Sequence, residues 1–97
     1  IQLDYKSIPF MEGFFDYLNY GLIPAGSYRN RDYVVNNVEG DPEKILILST
    51  PETSGGLLIF CDNKKTGEVI KRINDAGDMA IKIGETKELS EKLITIK

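Results

Sequence analysis

The sequence predicts an α+β fold: a mixed or antiparallel sheet with helices on one face. Three observations point there. Ile1, Leu3 and Tyr5 alternate with polar residues, as do Ile94 and Ile96 at the far end, which is the period of a half-buried strand. Met11, Phe14, Phe15, Leu18 and Leu22, and later Thr66, Val69, Ile70 and Ile73, recur at helical spacing. Finally, 97 residues with 41% hydrophobic and 28% charged side chains suit one globular domain, 1–97, and leave little for a second.

In chain order, Ile1–Tyr5 reads as a strand and Ser7-Ile8-Pro9 as the turn after it. A helix follows from about Phe10, with Pro9 suited to its start and Gly21 to its C-terminal cap. Pro24-Ala25-Gly26-Ser27 is turn chemistry, so 24–37 reads as a stiffened loop carrying Arg29-Asn30-Arg31. Glu39 to Glu43 is an acidic turn. Periodicity cannot separate a strand from a helical turn over the apolar run Ile45–Leu48.

Leu57–Cys61 is a second continuous apolar run, expected to be a strand buried on both faces. Asp62 or Asn63 then caps a helix that Gly77 ends. Met79, Ile81 and Ile83 alternate as a strand, and Ile94–Ile96 is the last one. The strand–helix–strand order of this half resembles part of a ferredoxin-like unit.

Bulk properties narrow the function. A net charge of -3 with no basic stripe argues against nucleic acid. No apolar run approaches the ~20 residues that span a bilayer. One cysteine and no apolar leader point to a reduced, cytoplasmic setting. The chain starts at Ile1 rather than Met, in keeping with a piece of a longer protein. With no histidine, Ser–His and Cys–His nucleophile pairs and the commonest metal ligand are all missing. No catalytic residue and no metal ligand is assigned within the chain.

Two places have the chemistry to hold an anion. Thr53-Ser54-Gly55-Gly56 joins two hydroxyls to paired glycines, whose amides can converge on a phosphate without side chains in the way. The bland alternative is a tight turn. Arg29-Asn30 offers a guanidinium fork and an amide, against the alternative of surface residues near Asp32 and Glu39. Asp32, Glu39, Asp41 and Glu43 read as a solvated acidic stretch rather than a magnesium site. Cys61, inside an apolar run, reads as a packed, inert thiol.

Both places fall in segments that resemble one family. Gly21-Leu22-Ile23-Pro24-Ala25-Gly26-Ser27-Tyr28-Arg29-Asn30 is similar to the Gly-x-x-Pro-Gly-Gly-Thr-x-Arg-Asn stretch of selenophosphate synthetases (selenide, water dikinases). Thr50-Pro51-Glu52-Thr53-Ser54-Gly55-Gly56-Leu57-Leu58-Ile59 resembles their Asp-Pro-Gln-Thr-Ser-Gly-Gly-Leu-Leu-Ile signature. Ala76-Gly77 and Ile83-Gly84-Glu85 look like the family's closing helix and strand. Thr50, Glu52, Ala25 and Ser27 depart from the usual residues, and Thr50 replaces an acid.

The resemblance implies the C-terminal α+β domain of the aminoimidazole ribonucleotide synthetase superfamily, expected to cover an N-terminal ATP-binding domain of the same chain. The family makes selenophosphate from selenide, ATP and water, with magnesium, as a homodimer. Its catalytic Cys or selenocysteine, its lysine and its magnesium-binding aspartates lie upstream of the segments present here. Cys61 does not match that cysteine, and these residues alone are expected to be inactive, with no cofactor bound. The rivals are another member of the superfamily and a free-standing α+β ligand-binding or regulatory module.

Overall fold

The computed structural model describes residues 1–97. The architecture is α+β, as expected: four α-helices and a mixed four-stranded sheet. The strands are β1 (Gln2–Leu3), β2 (Val38–Glu39), β3 (Gly84–Glu85) and β4 (Ile94–Ile96), in the order β2-β4-β1-β3. β4 lies parallel to both β1 and β2, while β1 and β3 are antiparallel. The two inner strands thus come from opposite ends of the chain. The Ile1 ammonium donates to the Leu93 carbonyl at 2.7 Å, and the Tyr5 amide to the Lys97 carbonyl at 2.8 Å.

β3 approaches β1 so closely that a side chain at Gly84 has no room: a Cβ there would run into the Gln2 carbonyl oxygen. Glycine is what this register requires.

The helices are α1 (Phe14–Asn19), α2 (Ala25–Val34), α3 (Pro42–Leu48) and α4 (Thr66–Asp75). α1 and α4 end in the same device. At each, a glycine with positive φ follows the cap residue: Gly21 at 74° and Gly77 at 89°. Leu22 N–H donates to the Tyr17 carbonyl and Gly21 N–H to that of Leu18; Asp78 and Gly77 do likewise to Ile73 and Asn74. These paired bonds satisfy carbonyls the helix would otherwise leave open. The expected glycine caps are therefore both present.

α3 resolves the ambiguous run Ile45–Leu48. Asp41 accepts from the Glu43 and Lys44 amides at 2.9 and 3.2 Å, and Pro42 occupies the first turn, so the start signals are those of a helix. The run Ile45–Leu48 is apolar without a break because two faces of the helix are covered. Ile45 joins Val38 and Ile96 in the core, with Leu3, Tyr5, Val34, Leu48 and Ile94 around them. Leu46 and Ile47 face the other way, toward α1.

Four expectations need correction. The helix expected from Phe10 starts only at Phe14, behind Gly13, and Met11 stands 86% exposed. The stretch expected as a loop over 24–37 is α2 followed by a 3-10 turn at Val35–Asn37. Pro24 sits just outside the helix as its cap, where a missing N–H costs nothing, so the proline and glycine that suggested a turn mark a helix start instead. Leu57–Cys61 is not a buried strand: it is exposed and none of its backbone groups bonds another. None of Met79–Ile83 is strand: the pairing begins just beyond it, at Gly84–Glu85, and Met79 and Ile81 are exposed. Both failures have one cause: apolar patterning gives a segment strand character, but a strand exists only beside a partner.

No helix is long and apolar enough to cross a membrane.

Candidate functional site

The two segments singled out in the sequence meet at the root of one loop. α2 carries Arg29 and Asn30, both exposed. Asn30 Nδ2 donates to the Ser49 carbonyl at 3.0 Å, just beyond the end of α3. One turn earlier, Gly26 lies against Pro51: a Cβ there would come within 2.8 Å of the proline Cγ. The loop that leads into Thr53–Gly56 is thus held on α2 at two points, one polar and one a close backbone approach.

Beyond that clamp, Thr53, Ser54, Gly55 and Gly56 are all exposed. Their amides donate to no backbone carbonyl and no side chain of the chain. These four consecutive amides are left open to solvent or to a ligand. Gly55 has only the Glu52 side chain near it, 3.3 Å from an added Cβ, and Gly56 has nothing within 4 Å. The loop is open rather than filled.

Arg29 forms no ion pair. Its neighbour Arg31 does: the guanidinium holds Asp32 at 2.6 Å and lies 5.3 Å from the centre of the Tyr28 ring. The sequence Arg-Asn-Arg therefore divides by helical position. Arg31 is spent on its neighbours, Asn30 on the Ser49 carbonyl, and Arg29 is left for solvent or a ligand. No hydrogen bond or ion pair joins Arg29 to the Thr53–Gly56 loop.

Ser27, named in the sequence only as a departure from the family motif, stands out in the structure by its burial. It is 1% exposed, the most buried side chain of the chain, and its hydroxyl has no hydrogen-bond partner. It lines a small apolar cavity of about 190 Å³ with Phe14, Leu18, Ile23, Ile47 and Thr50. Its place in the Arg-Asn stretch was legible; its burial goes with the packing of α2 on α3, which the loop reading of 24–37 concealed.

The acidic residues have local duties. Asp41 caps α3 and Asp32 pairs with Arg31. No three acids or sulfurs lie together as metal ligands would. Lys44 stands 5.0 Å over the Tyr5 ring, and burial, then the charges of Glu43 and Asp41, push the Tyr5 hydroxyl above its ordinary pKa. Cys61, expected to be packed, is exposed, with the Thr66 hydroxyl 3.7 Å from its sulfur. The reason is again the unpaired apolar run it belongs to.

No protein-family model matches the chain. Curated relatives do. The selenide, water dikinase of Campylobacter jejuni strain NCTC 11168 is 37% identical over 91 residues, 94% of this chain and 27% of the relative. That of Caldanaerobacter subterraneus is 39% identical over 102 residues, all of this chain and 29% of the relative. That of Clostridioides difficile strain 630 is 38% identical over 101 residues, 99% of this chain and 29% of the relative. The resemblance read from the two motifs therefore extends over nearly the whole chain, and the chain spans less than a third of the length of these relatives.

Proposed function

We infer that this chain, similar along its length to selenide, water dikinases, is the C-terminal part of such an enzyme, which makes selenophosphate from selenide, ATP and water. One observation carries the reading: identity of 37–39% to three such enzymes runs through both motif segments and covers 94% or more of the chain. Its role is to cover the ATP-binding part of the same polypeptide, within a cytoplasmic homodimer, and not to perform the chemistry.

What this chain offers that role is an anion contact. Phosphoryl chemistry is largely positioning and charge stabilisation around phosphate oxygens. The unclaimed amides of Thr53–Gly56 and the unpaired guanidinium of Arg29 are donors of the right kind, and Asn30 and Gly26 fix the loop that presents them. Ser54 and Thr53 add hydroxyls at the same bend. These groups suit the phosphates of ATP or of its products, which they would bind and orient. The acids present do not form a magnesium site, so no step is assigned to one here.

The test is an exchange of segments. The matching part of the Campylobacter jejuni enzyme is replaced by this chain, and selenophosphate formation is measured. Retained activity is expected; a folded, soluble chimera without activity overturns the assignment. Calorimetric titration of the isolated chain with magnesium–ATP checks the division of labour. Submicromolar binding by the chain alone would contradict a supporting role.

A further inference from the structure

At Ser27 the chain closes over a polar group and gives it nothing to bond. The residue is 1% exposed, and its hydroxyl has no hydrogen-bond partner. Buried side-chain oxygens nearly always find one, because an unpaired group gives up its hydration without return. The anion contact at Thr53–Gly56 makes no use of this hydroxyl.

Ser27 borders the cavity of about 190 Å³. Phe14 and Leu18 of α1, Ile23 ahead of α2 and Ile47 of α3 supply its carbon walls. Phe14 is held between Phe10 and Phe15, with ring centres 5.0 and 5.3 Å away. Tyr17 and Leu22, each 62% exposed, mark the side nearest solvent. Thr50 adds a second hydroxyl to the wall, but its hydrogen is taken: Oγ1 donates to the Ile47 carbonyl at 2.8 Å. The Ser27 hydroxyl is therefore the group left both to give and to accept.

This composition selects the occupant. A buried water needs two to four polar partners, and these walls are poor in them. A cavity of about 150 Å³ lined by leucine, isoleucine and phenylalanine stays dry and takes benzene. The cavity here has similar walls and a similar volume, with one hydroxyl added. Serine has a single side-chain torsion, so that hydroxyl turns toward an occupant without a shift of the backbone. The selenophosphate synthetase motif has threonine at this position, and Ser27 leaves out its methyl group.

We propose that the cavity between α1, α2 and α3 is a binding site for a small, mainly apolar molecule with one hydroxyl, of the size of a phenol, and that this hydroxyl pairs with Ser27 Oγ. The site stands apart from the anion contact and does not depend on the family reading. Through Thr50 its occupant touches the root of the Thr53–Gly56 loop, next to the Ser49 carbonyl that Asn30 holds.

Phenol and toluene, alike in size and different in the hydroxyl, are the probes. Each is titrated into the 97-residue chain and followed by amide NMR shifts. Phenol is expected to bind saturably, with shifts centred on Ser27, Ile47 and Thr50, and at least as tightly as toluene, although water holds phenol back more strongly. Ser27→Ala removes an unpaired group and introduces a better helix former, so a stable fold is expected. In that variant phenol should weaken about tenfold while toluene is unchanged. No saturable shifts with either probe, or shifts spread over the exposed apolar residues, overturn the site. Undiminished phenol binding in Ser27→Ala overturns the pairing. Should that variant not fold, the wild type decides alone: toluene the tighter of the two overturns the pairing there as well.

Discussion

The Asn30 side chain donates to the Ser49 carbonyl at 3.0 Å and so ties the middle of α2 to the end of α3. This bond spans 19 positions in sequence and decides where the Thr53–Gly56 loop begins. Replacing Asn30 by alanine removes the donor and leaves a half-buried carbonyl unpaired. A loss of about 1 kcal/mol is expected in urea unfolding. Proteolytic nicking within 50–56 should rise with it. A variant with unchanged stability and unchanged nicking shows that the bond does not hold the loop.

Gly84→Ala is the severest small change available in the sheet. The new Cβ would meet the Gln2 carbonyl oxygen, which is backbone and cannot rotate away. The expected cost is about 1–3 kcal/mol, with loss of the β1–β3 pairing. The unfolding midpoint and the amide protection of Asp4, whose N–H donates to the Ile83 carbonyl beside β3, report it. Gly67→Ala, where nothing lies within 4 Å, is the control and should be neutral or slightly stabilising.

Glu85 makes the β3 edge sensitive to acid. Hydrogen bonds from Lys87 at 2.6 Å and then Lys82 at 3.0 Å hold its carboxyl down at about 2, against an ordinary 4.5. The folded value is the lower one, so the ionised form stabilises the fold above pH 4.5, and that contribution fades as the pH falls toward 2. The group is exposed, so the effect is small and weakens in salt. Unfolding midpoints of the wild type and Glu85→Gln should differ at pH 6 and converge near pH 2. A gap that persists in acid contradicts the pairing.

Gly55→Val tests the anion contact in a complete active enzyme. The loop is open, with only Glu52 nearby, so a stable fold is expected. Two branches beside the unclaimed amides block a phosphate, and a loss of at least about tenfold in kcat/KM should follow, as for a displaced substrate. A folded variant with full activity ends the case for an anion at Thr53–Gly56.

How much of this was legible in the sequence depended on how local each signal is. The Gly21 and Gly77 caps are set by residues a few positions apart and were read correctly. Of the two candidates Asp62 and Asn63, Asp62 is a cap, accepting from Lys64 N–H at 2.8 Å, but of the 3-10 turn Asn63–Lys65 that leads into α4 and not of α4 itself. β1 and β4 showed through their alternation. α2 was missed because Pro24 and Gly26 carry two meanings, turn or helix start, and only the packing of Gly26 on Pro51 chooses between them. The placement of Leu57–Cys61 failed for the opposite reason. Its apolar character is real, but no strand of the sheet pairs with it. For the candidate site, the residue types were visible while their geometry was not. That Asn30 serves the backbone and Arg29 stays free follows from their positions around a helix the sequence had hidden.

The sheet order has a kinetic consequence. β4 and β1 are the inner strands, yet the Ile1–Leu93 contact between them spans 92 positions. Nothing local nucleates such a pairing, and closing it brings together nearly the two ends of the chain. Folding should therefore be slow for so small a molecule. Trimming the final residues should leave the helices nascent and the sheet absent, not merely frayed.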